Sequence, residues 1–275
     1  MSNCGSCPSK GECGKDQQSC GIQNNPLNNI KKIIGVMSGK GGVGKSTVSA
    51  LIARNLAKQG YKVGVLDADI TGPSIPRLLG VKDAKAMGAP NNCIYPVQSS
   101  DGIKVMSLNL LLEDENQPVI WRGAMISNTV KQFYTDVIWG ELDYLLIDMP
   151  PGTGDVALTV MQSIPINGVI MVTVPQDMVS MIVAKAVHMV KKLNIDVIGV
   201  VENMSYIKCP DCGKKIEIFK GEHNRKFLDD MNLNLEAVLE FVEKHADETI
   251  LMFGFTFYFA FLASRFRRKK IFCFR

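Results

Sequence analysis

The sequence predicts an α/β fold, doubly wound around a mostly parallel sheet, and three observations carry that prediction. Short apolar runs recur at 33–37, 62–66, 103–108, 144–147, 168–174 and 196–201, several of them nearly continuous in Val, Ile and Leu. Such runs suit strands covered on both faces, where no residue has to meet water. Stretches with helical spacing lie between them, at 46–59, 155–163 and 177–193, and alternation of this kind implies crossover connections that keep successive strands parallel. The first run also enters a glycine-rich loop that leads straight into the first helix.

Taken in order, residues 1–29 are poor in apolar residues and rich in Cys, Gly, Ser, Asn and Gln, which predicts a flexible arm with Pro26 and the Asn pairs as its hinge. The main domain is expected over 30–248. Its first helix places Val48, Leu51, Ile52 and Leu56 at helical spacing and ends before Gly60. The strand at 62–66 ends in Asp67-Ala68-Asp69, and the strand at 144–147 ends in Asp148-Met149-Pro150-Pro151-Gly152. Beyond 196–201 come Asn203, a Cys209-Pro210-Asp211-Cys212 turn and a polar, helix-like stretch at 235–245. The final segment, 249–275, is atypical: fourteen uncharged, Phe-crowded residues at 250–263 precede Arg265-Phe266-Arg267-Arg268-Lys269-Lys270. An apolar run of fourteen is short for a bilayer span, which needs about 20 residues. An interfacial segment and a frameshifted end foreign to the fold are the other readings, and the last is preferred because the expected strand is missing at the same place.

Composition narrows the function classes. With 46% hydrophobic and 21% charged residues, the chain is ordinary for a globular protein. The net charge of +4 belongs to the tail: six of the 31 basic residues lie from Arg265 onward, leaving 25 against 27 acidic, a net of −2. A near-neutral body gives no electrostatic case for nucleic acid. Neither a nucleic-acid nor a membrane partner is expected. The first twenty residues contain no apolar run, so no secretory leader is expected and the eight cysteines read as reduced thiols of a cytoplasmic protein.

The segment Gly39-Lys40-Gly41-Gly42-Val43-Gly44-Lys45-Ser46-Thr47 meets the P-loop pattern between a strand and a helix, the context the motif requires. Glycines let backbone N–H groups turn onto phosphate oxygens, and the helix N-terminus adds a favourable dipole. In such a loop Lys45 meets the β/γ-phosphates of ATP and the Ser46 hydroxyl ligates Mg²⁺. Asp67, Asp69 and Asp148 all fall at carboxyl ends of predicted strands, where open parallel sheets bind ligands. Asp148 reads as the carboxylate that orients the magnesium shell.

The loop with its extra lysine resembles the deviant phosphate loop of MinD/ParA-type ATPases. That likeness implies a nucleotide-sandwich homodimer in which Lys40 reaches the partner's ATP. It also implies that Asp69 activates the attacking water, that Asp67 lies near magnesium, that Gly152-Thr153-Gly154-Asp155 forms the second switch and that Asn203 reads the adenine edge. Within that superfamily, the segments Leu66-Asp67-Ala68-Asp69-Ile70-Thr71-Gly72-Pro73-Ser74-Ile75-Pro76, Trp121-Arg122-Gly123, Asp148 to Asp155 and Pro175-Gln176-Asp177 resemble the Mrp branch of iron–sulfur carriers, over about residues 30–219. Arg122 is equally well read as an interface or nucleotide contact and as a surface arginine.

A Cys-x2-Cys turn puts two sulfurs on one side of a tight loop, a half-site that suits zinc or an iron–sulfur cluster. A two-fold dimer completes a four-sulfur shell from two such halves, and the resemblance implies a bridging [4Fe–4S] cluster on Cys209 and Cys212. Cys4, Cys7, Cys13 and Cys20 form a second candidate site, for a cluster, zinc or handover thiols. Their spacing differs from that of the Nbp-type scaffolds, which the arm otherwise resembles. The implied activity is ATP-dependent transfer of a cluster from scaffold proteins to apo-proteins. The alternatives are a MinD/ParA-like positioning ATPase on membrane or DNA, an electron-transfer ATPase resembling the nitrogenase iron protein, and a zinc-stabilised binding module.

Overall fold

A computed structural model describes residues 25–113, 123–174, 177–204, 206–209, 212, 214–217 and three short strand pieces near the C-terminus. Cys4, Cys7, Cys13, Cys20, Arg122, the Pro175-Gln176 pair, the 235–245 stretch and most of 249–275 lie outside the described residues.

The chain runs β1 (Asn29–Ser38), α1 (Lys45–Lys58), β2 (Val63–Asp67), α2 (Ile75–Leu78), β3 (Met87–Ala89), β4 (Cys93–Tyr95), β5 (Val97–Gln98) and β6 (Lys104–Met106). It continues through α3 (Gly123–Thr135), β7 (Glu141–Asp148), α4 (Asp155–Ser163), β8 (Gly168–Thr173), α5 (Asp177–Lys192), β9 (Val197–Glu202), β10 (Tyr206–Lys208) and β11 (Lys215–Glu217). Two-residue pieces β12 (Met252–Phe253), β13 (Thr256–Phe257) and β14 (Cys273–Phe274) complete the described elements. The main sheet has the order β13-β9-β8-β1-β7-β2-β6-β5. Pairings from β9 across to β6 are all parallel, while β13 and β5 pair antiparallel at the two edges.

All six expected strands and all three expected helices are present. The order reverses at β1, which lies between β8 and β7, so the loop after β1 opens at the topological switch point. Val36, Leu66, Leu145, Leu146, Ile147 and Met171 are buried, as strands covered on both faces require. The first helix buries Val48 of its expected apolar set together with Ser49, Ala50 and Ala53, while Ile52 and Leu56 are half-buried against the core and Leu51 is half-buried. Small residues let the helix axis approach the sheet, and the longer side chains fill the margins.

The segment expected as the hinge of the arm is an ordered turn. Asn25 Oδ1 accepts from the Leu27 N–H at 3.0 Å, and Asn25 Nδ2 lies 3.5 Å from Cys93 Sγ. Asn28 Nδ2 donates to the Val137 carbonyl at 2.9 Å while its Oδ1 accepts from the Gly140 N–H at 2.9 Å. Asparagine side chains here replace backbone partners, a capacity that composition alone does not reveal.

Candidate nucleotide site and thiol hairpin

β1 delivers the chain to the 39–44 loop at the centre of the sheet, and α1 begins at Lys45. Gly42 and Gly44 have φ of 80° and 86°, the left-handed region that side chains other than glycine avoid. Position 44 has a second constraint: a Cβ there would stand 2.4 Å from Asn203 Nδ2. Lys40, Gly41, Gly42 and Thr47 are exposed, and Lys40 makes no salt bridge among the described residues. Gly39 and Val43 are buried and seat the loop on the body.

β7 brings Asp148 beneath this loop. Its Oδ2 accepts from Lys45 Nζ at 2.7 Å and from Ser46 Oγ at 2.6 Å, and its Oδ1 accepts from Ser49 Oγ at 2.6 Å. The carboxylate has no exposed surface and Lys45 is only 7% exposed, so the pair is desolvated. A buried pair of this kind persists because each member would be costly alone. No motif in the sequence singles out Ser49. Its position one helical turn after Lys45 is the available signal, since residues i and i+4 share a helix face.

Asp67 is the register partner of Asp148 on the neighbouring strand. Burial, reinforced by the Asp148 charge and opposed by Lys45 and the Ile75 N–H, pushes its carboxyl up to about 8. Asp67, expected near magnesium, also ties together the chain that follows β2. Its Oδ1 accepts from the Asp69 N–H at 3.2 Å; its Oδ2 accepts from the Ser74 and Ile75 N–H groups at 3.1 and 3.2 Å and the Ser107 hydroxyl at 3.3 Å. With both oxygens engaged, Asp67 holds the turn that presents Asp69. Asp69 is half-buried, and its Oδ1 accepts from Thr71 Oγ1 at 3.1 Å. The 149–154 segment stays against the same loop, with the Gly152 N–H donating to the Ser38 carbonyl at 2.8 Å.

Ser46 Oγ and the register-paired Asp67 and Asp148 carboxylates group hard oxygen donors beneath the loop, the kind that suits Mg²⁺. Bound there, the ion would neutralise charge on the β- and γ-phosphates. A phosphate in the loop would also compete with Asp148 for the Lys45 ammonium, so the lysine is positioned before nucleotide arrives.

Asn203 follows β9 and turns back onto the loop. Its Nδ2 donates to the Val43 carbonyl at 3.0 Å, its Oδ1 accepts from the Met204 N–H at 2.9 Å, and its own N–H donates to the Thr173 carbonyl at 2.8 Å. β10 and β11 then form an antiparallel hairpin, Lys208 opposite Lys215, and the Cys209 N–H closes its tip on the Lys214 carbonyl at 2.9 Å. Cys209 is half-buried and Cys212 exposed, both as thiols. No group of three or more His, Cys, Asp or Glu side chains that could hold a metal occurs among the described residues, which supply a pair of sulfurs at this tip.

Residues 29–249 match the profile of the ParA family described as NUBPL iron-transfer P-loop NTPase. The chain belongs to this iron-transfer NTPase family. Among proteins of known role it is similar to the iron-sulfur cluster carrier protein of Clostridium perfringens, 50% identical over 248 residues, which cover 86% of this chain and 87% of that one. A solved nucleotide-binding protein from Archaeoglobus fulgidus, in complex with ADP and with cobalt found in it, is 45% identical with a TM-score of 0.65 over 74% of this chain and 79% of that one. The cell division ATPase MinD of Pyrococcus furiosus shares the fold, with 23% identity and a TM-score of 0.51 over 74% of this chain and 80% of that one. The nucleotide loop, the 66–76 and 148–155 segments and the thiol hairpin all lie inside the family match. That match stops where the uncharged stretch at 250–263 begins. No helix among the described residues is long and apolar enough to cross a membrane.

Proposed function

We propose that this chain is an ATP-dependent carrier that holds a [4Fe–4S] cluster as cargo between two subunits and passes it to apo iron–sulfur proteins. The observation that carries the reading is the placement of Cys209 and Cys212 at an accessible hairpin tip, reached directly from Asn203 on the phosphate loop. Membership of an iron-transfer family and the likeness to named cluster carriers support it over a positioning ATPase.

In this reading the Lys45 ammonium and the loop N–H groups hold the β- and γ-phosphates, and Asp69 orients water in line with the γ-phosphate. Lys40, exposed on the loop, reaches the partner's nucleotide and makes closure of the homodimer depend on ATP. Closure brings two Cys209/Cys212 pairs together, and hydrolysis releases them. Lys214 and Lys215, exposed beside the turn, offset the negative charge of a thiolate-ligated cluster. A cytoplasmic location belongs to the same reading, since reduced thiols and iron cargo suit a reducing compartment. The arm cysteines Cys4, Cys7, Cys13 and Cys20 are proposed as a second holding site.

The test uses anaerobically reconstituted protein and an apo-ferredoxin acceptor. Wild type is expected to restore the acceptor's visible absorption and to respond to MgATP, whereas Cys209→Ala/Cys212→Ala holds and delivers little. Equal delivery by the variant, or stoichiometric zinc in place of iron, overturns the carrier reading.

A further inference from the structure

We propose that Asn203 is the positioning residue that transmits nucleotide occupancy of the phosphate loop to the Cys209/Cys212 hairpin. The proposal deepens the carrier reading and rests on it for its purpose, though not for its test.

The contact is backbone-specific. Asn203 Nδ2 donates to the Val43 carbonyl at 3.0 Å, in the stretch whose peptide groups line the phosphate cradle. The fit is close, because a Cβ at position 44 would stand 2.4 Å from the same nitrogen. Movement of the 43–44 peptide therefore has to move Asn203 or break its hydrogen bond.

At its other end, Asn203 is fixed to the start of the segment that leads to the hairpin. Its Oδ1 accepts from the Met204 N–H at 2.9 Å, and Met204 takes a φ of 58°, a left-handed conformation unusual for a side chain of this kind. Asn203 N–H is held by the Thr173 carbonyl of β8 at 2.8 Å, which makes the residue a pivot rather than a loose linker. Cys209 lies only six residues on, within about 20 Å even for fully extended chain. A rotation at this pivot is passed to the hairpin over a short tether, while the sheet beneath stays fixed. Reading an adenine edge would need none of these backbone contacts.

The experiment measures alkylation of Cys209 and Cys212 by iodoacetamide, read by peptide mass spectrometry, in the full cluster-free chain. Rates are compared without nucleotide and with saturating MgATP, saturation being set by a fluorescent ATP analogue. Wild type is expected to change its rate by about fivefold or more, the low end of ordinary site-to-site coupling. Asn203→Ala should lose that change even when saturated. A second variant, with two glycines inserted after Met204, keeps Asn203 and the phosphate loop but loosens the tether. It should bind MgATP as wild type does and also lose the change.

An unchanged wild-type rate overturns the proposal. So does a full response in either variant, the result expected if Asn203 only reads the base or if subunit pairing alone shields the thiols. Should Asn203→Ala fail to bind MgATP, the insertion variant decides. Iron loading of the same preparations separates the two ideas: a nucleotide response in protein that holds no cluster keeps the pivot and removes the cargo.

Discussion

At the phosphate end, Lys45, Ser46 and Ser49 converge on a carboxylate with no exposed surface, whereas the hairpin carrying Cys209 and Cys212 has three-residue strands with Cys212, Lys215 and Ile216 in solvent. The first region is determined many times over, by strand register, by buried charge and by left-handed glycines. Among the described residues, the second shows a short ladder and the Cys209–Lys214 turn bond. The difference follows from the two chemistries. Transfer of a phosphoryl group needs groups held in place before the substrate arrives, while cargo handover needs sulfurs that an acceptor can reach.

The sharpest way to break this comparison is to remove Asp148. Asp148→Ala leaves the Lys45 ammonium buried without its charge partner and the Ser49 hydroxyl with only the Lys45 carbonyl as acceptor. A loss of about 3–5 kcal/mol is expected in urea unfolding, together with loss of ATP hydrolysis. A change below about 1 kcal/mol would show that the phosphate end is less tightly determined than its geometry implies.

Glycine substitutions sharpen the contrast inside the loop itself. Gly44→Ala forces a Cβ into Asn203 at a φ of 86°, so a cost of about 1–3 kcal/mol is expected. Gly41 lies outside the left-handed region and has nothing within 4 Å of a built Cβ, and Gly41→Ala should cost less than about 1 kcal/mol. Thermal unfolding of the two variants side by side checks the order, and the reverse order would remove the steric account.

Much of the phosphate end is legible in the sequence because its constraints are local. A glycine loop between a strand and a helix, and aspartates at strand ends, are written in consecutive residues. The role of Asp67 is not legible: whether its oxygens face a metal or the N–H groups of Ser74 and Ile75 depends on how the chain turns after the strand. Ser49 and Ser107 escape for the same reason, since a hydroxyl's partner is decided by register between distant strands. α3 and the β3–β4 hairpin are likewise not foreseen, because mixed stretches of polar and apolar residues give no clean period. The cysteine pair is visible, but only the fold shows it on a hairpin tip adjoining Asn203. The division into an arm at 1–29, a domain at 30–248 and a tail at 249–275 stands as a proposal.

The pH dependence isolates one part of the buried site. Asp67 has its carboxyl raised from 3.8 to about 8, mainly by burial and then by Asp148. Between those values the folded chain keeps a proton that the unfolded chain has released, so stability falls as pH rises from about 4 to about 8 and levels off above. In metal-free protein, Asp67→Asn should flatten that slope in melting curves taken from about pH 5 to about pH 8. A slope identical to wild type would mean that Asp67 is ionised throughout.

The smallest effect belongs to the hairpin. Cys209→Ser/Cys212→Ser should alter the stability of metal-free protein by no more than about 0.5 kcal/mol, as expected where side chains are exposed or half-buried and not part of a core. A larger loss in chemical denaturation would make the pair structural and erase the contrast between the two ends.

The most direct measurement is the iron and sulfide content of anaerobically purified protein, together with its mass in solution by sedimentation in MgATP. The expected result is a coloured dimer with one [4Fe–4S] cluster for each two chains after residues 1–24 are removed, and loss of that cluster in Cys209→Ser/Cys212→Ser. A colourless monomer in MgATP, or a cluster that survives loss of both cysteines, would contradict shared carriage between subunits.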